Sequence, residues 1–381
     1  MDFEIEPELK AYLQTVKQFR EREMMPLERE FLVQGDWSLE VRHTLEARAR
    51  KLGFWALDVP EELGGQGLSE FAMCLVAEEL YQHPAMFEFG GSPEPALYKC
   101  NEEQKERYLM PVINGTRRSA YAFTEPDAGS DMASMRTNAV RDGDDFIING
   151  TKTFISHVDA ADFVILFAKT DVSAGAGGVT CFLVDKGTEG FTVSRPIPTM
   201  GDGWIPSELS FNNCRVPAKN ILGDEGNAWK IANDQLSHGR LRIAAYQLGI
   251  AQRCLDLAIE WAKNRHTWGK AIASRQAIQW MVADSFVELE AARLLVHRAA
   301  CKSDAGLASR NDAFVAKLYA TEMSGRVTDR CMQIFGGLGY TTESPIQSFF
   351  RQARLWRIGH GTSEITRWII ARSLLDLKAN S

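Results

Sequence analysis

Apolar residues recur at three-to-four spacing near both ends of this chain and alternate with polar ones in between. In residues 1–115, LKAYLQTVKQFREREMMPLEREF and WSLEVRHTLEARARKLGF carry the helical period. Ser38 is the predicted N-cap of the second helix and Gly53 its stop. PEELGGQGLS (60–69) reads as an interhelical turn before another helical stretch, EFAMCLVAEELYQ. It lacks the Lys-Ser/Thr of a phosphate loop and follows no strand. Between 116 and 225 the period shortens. DDFIINGTKTFIS alternates about Asn149-Gly150, which predicts a hairpin there. ADFVILFAKTD, GGVTCFLVDKG, GFTVSRPI and SELSFNNCRV are short β-rich runs that suggest a small antiparallel barrel or sandwich. From 226 to 381 the helical spacing returns: Ile278, Val282, Phe286 and Leu289 form one predicted stripe, and short connections suggest an antiparallel bundle. The pattern therefore predicts an α+β chain: a helical domain (1–115), a β domain (116–225) and a helical bundle (226–381).

Composition narrows the function classes. A net charge of -7 and a pI near 5.6 give no electrostatic reason to expect a nucleic-acid partner. MDFEIEPELK is acidic where a secretory signal would be basic and then apolar, and no apolar run reaches the ~18 residues of a membrane span. Seven scattered cysteines without a CxxC predict buried thiols in a reducing, cytoplasmic compartment rather than disulfides or a metal site. There is no GxGxxG after a strand, no Walker A motif, no HExxH and no GxSxG. On these grounds alone the chain is an α+β protein with an oligomer-prone bundle.

Four longer stretches say more: YAFTEPDAGSDMASM (121–135), KTFIS (152–156), RHTWGKAIASRQAIQWMVAD (265–284) and QIFGGLGYTTESPIQSFFRQARLWRIGHGTSEI (333–365). In sequence and order they resemble the acyl-CoA dehydrogenase family. The resemblance implies a helix–barrel–helix fold, FAD, an acyl-CoA substrate, electron transfer to electron-transfer flavoprotein, and a homotetramer built as a dimer of dimers. It assigns the flavin to Tyr121, Phe123, Thr124, Gly129 and Ser130, with Ser130 also approaching the CoA side. Phe154, Ile155 and Ser156 would stand against the ring, Phe154 where the family usually has tryptophan. Arg265 and Thr267 would meet the pyrophosphate, and Trp268 and Gln276 the adenosine half. Gln333, Gly336 and Gly337 look like the contact from a neighbouring subunit. Thr362 and Glu364 match adenine and ribose contacts. Ser237, Arg240 and Gly361 fall on the substrate side, and Glu94 and His83 hint at a polar or branched acyl tail.

One departure concerns the chemistry. Most members place a catalytic glutamate directly before the Gly-Thr of the C-terminal signature, and here that residue is His360. A second family position, directly before an arginine, is Gly239 in QLSHGRLRIAA. Three readings follow. In the first, His360 is the base, since imidazole is largely neutral at pH 7. In the second, the reaction needs no base, as in sulfinate elimination (a desulfinase-like lyase) or enoyl-CoA reduction. In the third, the chain is a non-catalytic partner subunit. His238, beside Gly239, would point about 100° away on a helix.

Overall fold

The computed structural model describes residues 5–377, apart from the side chains at 176, 233–238 and 310. Helices α1 (Pro7–Phe19), α2 (Glu28–Gln34), α3 (Leu39–Lys51) and α4 (Glu70–Leu80) precede the short α5 (Glu102–Gln104) and α6 (Met110–Ile113). Ser38 caps α3 by accepting from the Val41 N–H, and Gly53 follows its end at φ +84°. In the glycine-rich turn Gly65 lies so near the Val59 backbone that a Cβ would overlap the Val59 carbonyl oxygen, so the turn serves packing.

Seven strands follow: β1 (Ser119–Ala122), β2 (Asn138–Asp142), β3 (Asp145–Ile155), β4 (Phe163–Lys169), β5 (Val179–Asp185), β6 (Phe191–Pro196) and β7 (Ser207–Pro217). They form one sheet in the order β1-β4-β2-β3-β7-β6, with β5 beside β4. Pairing is mostly antiparallel, but β1 and β2 each run parallel to β4. Along β4, Phe163, Ile165 and Phe167 enter a core shared with the helices, while Val164, Leu166 and Ala168 fill the opposite face. The hairpin is not at Asn149-Gly150. The chain turns instead at Gly143-Asp144, with Asp142 opposite Asp145, and β3 continues through Asn149 and Gly150. The register of β3 against β7 shifts between Ile148 and Gly150. Gly150 is required there because a Cβ would strike Thr137, so the signal marked an irregularity with a tight approach.

Four long elements make the bundle: α7 (Ala228–Asn264), α8 (Gln276–Asp304), α9 (Arg310–Phe335) and α10 (Pro345–Trp356), followed by α11 (Ser363–Leu374). A two-strand hairpin, β8 (His266–Thr267) and β9 (Lys270–Ala271), joins α7 to α8. A single core unites α1–α4 with this bundle. On α8 the buried stripe runs through Ser285 and Leu289, whereas Phe286 is exposed with Trp280, Val287 and Leu294. The predicted stripe at Phe286 thus gave way to the straighter alignment Ile278–Val282–Ser285–Leu289. Six cysteines are buried, and Cys301 is exposed. No helix among the described residues is long and apolar enough to cross a membrane.

Candidate active site

α10 and α11 cannot be one helix because the segment between them carries two successive left-handed residues, His360 (φ +53°) and Gly361 (φ +98°). For histidine this conformation costs on the order of 1 kcal/mol. It turns the imidazole onto α7, where a Cβ on Gly239 would lie 2.7 Å from both Nδ1 and Cε1 of the ring. Any residue larger than glycine at 239 would displace it. The two positions that could carry the base therefore converge on one point, and the chain fills it from 360. Trp356, four residues earlier on α10, lies 6.3 Å from the imidazole between ring centroids.

Two buried cations hold the backbone of this turn. Arg240 Nε donates to the His360 carbonyl at 3.3 Å, with its guanidinium 4.2 Å above the Phe314 ring. Lys317 Nζ donates to the Gly361 carbonyl at 2.6 Å, and burial, reinforced by Arg240, lowers its pKa to about 8. Burial first, then Arg240 and Lys317, pull His360 down to about 4. At neutral pH the imidazole is therefore uncharged, and its buried Nδ1 has no hydrogen-bond partner among the described residues. Thr362 caps α11 by accepting from Ile365 N–H at 3.2 Å. Glu364 is exposed, and hydrogen bonds from its own backbone and from Thr362 hold its carboxyl below the usual range.

At the end of β3, Phe154 also sits at positive φ (+57°) and is 53% exposed. No ring among the described residues stacks on it. A strained, open aromatic face suits a planar aromatic cofactor. Two residues on, Ser156 Oγ accepts from Trp204 Nε1 at 2.8 Å, which leaves its own proton available to donate. The Thr124 carbonyl accepts from Thr153 N–H at 2.9 Å, locking the 121–130 loop to β3. A buried ion pair reinforces that join: Lys152 Nζ reaches Glu125 Oε1 at 2.8 Å and the Phe123 carbonyl at 2.9 Å. Burial lowers Lys152 to about 8 against the pull of Glu125. Glu125 also accepts from the Arg136 and Thr137 N–H groups, and its carboxyl stays below the ordinary range despite burial. Gly129 and Ser130 lie exposed on the same loop, and Tyr121 is partly buried beside it. Phe123 and Ile155 are buried in the core, so they can present only backbone here.

The remaining candidates lie elsewhere. Arg265 follows the C-terminal end of α7, 25 helical residues or about 38 Å beyond Gly239. The β8–β9 hairpin there displays Thr267 and Trp268, the latter 91% exposed, and Gln276 opens α8. Gln333, Gly336 and Gly337 belong to the same end, since Trp261 of α7 stacks on Phe335 at 5.1 Å. The structure therefore separates the expected cofactor residues into two groups. Ser237 and His238 fall among the side chains outside the described set. His83 is fully buried, its Nδ1 accepting from the Ala85 N–H, and does not line the site. Glu94 stands before the 3-10 turn Pro95–Lys99, half-buried. Lys317, Trp204 and the Lys152–Glu125 pair escaped the sequence reading. Lys152 left one signal, a lone charge inside an alternating strand.

Models of three acyl-CoA dehydrogenase domains match nearly the whole chain: N-terminal over 6–116, middle over 120–214 and C-terminal over 226–375. The probable acyl-CoA dehydrogenase FadE25 of Mycobacterium tuberculosis is 39% identical over 334 residues, covering 85% of each chain. The caffeyl-CoA reductase-Etf complex subunit CarC of Acetobacterium woodii is 36% identical over 369 residues, 94% of this chain and 96% of that one. Butyryl-CoA dehydrogenase from Megasphaera elsdenii superposes with a TM-score of 0.90 at 35% identity, over 98% of this chain and all of that one. With the half-open Phe154 ring and the Ser156 hydroxyl fitting a flavin, the chain belongs to the acyl-CoA dehydrogenase family of FAD-dependent oxidoreductases.

Proposed function

We propose that this protein oxidises the α,β bond of an acyl-CoA thioester and that His360 takes the α-proton. The carrying observation is the imidazole seated against Gly239, at the point where both possible base positions meet. Burial, Arg240 and Lys317 keep the ring in the neutral form that can accept a proton. The clamped carbonyls of His360 and Gly361 fix its position. Bound FAD supplies the hydride acceptor for the β-hydrogen. Ser156 and Thr124 orient the flavin by hydrogen bonding and Phe154 by ring contact, while Tyr121, Gly129 and Ser130 line its loop.

Electrons leave to an electron-transfer flavoprotein, as the name of the CarC relative indicates for that protein. The assembly is a homotetramer in which Arg265, Thr267, Trp268, Gln276, Gln333, Gly336 and Gly337 serve the cofactor of a neighbouring copy. Their distance from Gly239 supports this, as does the open space around Gly336 and Gly337, where an added Cβ meets none of the described residues within 4 Å.

A second reading rests on the same two cations. Because Arg240 and Lys317 oppose an imidazolium, they favour a reaction in which His360 does not retain the proton: reduction of an activated enoyl-CoA, or elimination. Anaerobic mixing of holoprotein with saturated and α,β-unsaturated acyl-CoAs separates the readings. Bleaching of the flavin by saturated thioesters, slowed about 10²–10⁴-fold by His360→Ala, supports the dehydrogenase. Bleaching at an undiminished rate in the variant removes His360 as base. Oxidation of prereduced protein by enoyl-CoAs alone supports the reductase, and no flavin response to any thioester leaves elimination or a partner subunit.

A further inference from the structure

Tyr246 lies seven residues beyond Gly239 on α7, two turns or about 10 Å along the same face. Its ring is 5.9 Å from Trp356, which is in turn 6.3 Å from His360, so the three rings form a row leading away from the imidazole. Tyr81, at the end of α4, stacks on Tyr246 at 3.8 Å and extends the row. Both tyrosine hydroxyls donate to a single oxygen, Oε1 of Glu88, the Tyr81 bond measuring 3.3 Å. The tyrosines are buried but Glu88 is exposed, and its Oε2 accepts no hydrogen bond among the described residues. Burial and then Arg42 lower the pKa of His157, the residue after Ser156, while the charge of Glu88 opposes them.

No cation neutralises this carboxylate among the described residues. Arg242, one turn before Tyr246, is paired with Asp58 at 2.9 Å and Glu70 at 3.3 Å, and Arg42 is paired with Asp36. An alkyl chain reaching this point would strip water from the Glu88 carboxylate and return nothing. A hydrogen-bond donor would instead complete it.

We infer that Glu88 reads the distal end of the acyl group and selects a short chain ending in a hydrogen-bond donor, an ammonium or a hydroxyl, over an alkyl chain of equal length. This deepens, and rests on, the reading of the site as one for acyl-CoA. Two buried tyrosines aim the carboxylate, and the stacked Tyr81–Tyr246 pair limits chain length.

The test uses FAD-loaded protein and three thioesters of matched size: 5-aminopentanoyl-CoA, 5-hydroxypentanoyl-CoA and hexanoyl-CoA. Binding is followed by the perturbation of flavin absorbance, which needs no turnover. At least one donor-bearing thioester should bind about 10- to 100-fold more tightly than hexanoyl-CoA, the worth of one hydrogen bond to a charged group. Glu88→Leu should abolish or reverse that preference. Glu88→Gln, which keeps the tyrosine acceptor, should cost the amine more than the alcohol if the terminus is cationic, and the two equally if it is hydroxylic. Hexanoyl-CoA binding the wild type as tightly as both analogues, or a preference that survives Glu88→Leu, would overturn the assignment. If the preference holds but no thioester bleaches the flavin, the dehydrogenase reading fails and Glu88 stands.

Discussion

The two ends of α7 present opposite kinds of order. Near Gly239 the groups are held from within the chain: His360 is wedged against the helix, its backbone and that of Gly361 are tied to Arg240 and Lys317, and Lys152–Glu125 fixes the neighbouring loop. About 38 Å away, at Arg265, the groups face outward. Trp268 is exposed, and the space around Gly336 and Gly337 is open. One end is built from partners within the chain; the other leaves its groups open. Preorganisation requires internal partners, because a reacting group held by solvent would need reorganising at each turnover.

The largest expected effect tests whether the ends serve different copies. His360→Ala and Arg265→Ala chains should each be nearly inactive alone, the first through lost chemistry and the second through weakened FAD binding. Coexpressed with different tags and purified as mixed oligomers, they should recover a measurable fraction of activity, because one site then has both residues intact. Mixed oligomers no more active than the two parents would mean that Arg265 serves its own chain.

A smaller effect concerns the wedge. Gly239→Ala places a methyl 2.7 Å from the imidazole, so the ring must shift. Overpacking of this kind costs about 1–3 kcal/mol of stability. Flavin reduction should slow by roughly tenfold if alignment of the base carries the reaction. Stopped-flow reduction at unchanged FAD content measures it, and an unaltered rate would detach the wedge from catalysis.

The smallest effect is on stability against pH. Histidine has an unfolded pKa of about 6.5, whereas His360 is held down to about 4 in the fold. Between these values the unfolded chain binds the proton that the folded chain refuses, so stability falls as pH drops through this window. His360→Gln should remove roughly 2–3 kcal/mol of the loss between pH 7 and 4.5. Urea unfolding of both proteins at the two pH values gives the comparison, and identical losses would show that the ring is not held neutral. His83, lowered by burial to about 3, and His157 act in the same direction and remain in both proteins.

Much of the architecture was legible because its signals are local. Ser38 and Gly53 bracket α3 through capping chemistry that needs no distant partner. β4 was legible as a short β-rich apolar run, which the fold buries on both faces, and the three-part order followed from the change of period. The failures are as instructive. Asn149-Gly150 has turn composition, yet Gly150 is there because Thr137, on a neighbouring segment, leaves no room for a Cβ. Phe286 suits an apolar stripe but faces outward, because the core of α8 follows Ser285 and Leu289.

The sequence by itself determined the chemical inventory of this protein: a histidine at 360, a glycine at 239, a strand ending in Phe154 and Ser156, and a loop of small and hydroxylic residues. What only the tertiary structure decided is which of them meet. Gly239 and His360 are far apart in the chain and touch, whereas Gly239 and Arg265 share a helix and are held apart by its rise of about 1.5 Å per residue. A rigid helix fixes distance within itself, but packing between elements depends on the simultaneous fit of the whole core, which no single stretch encodes.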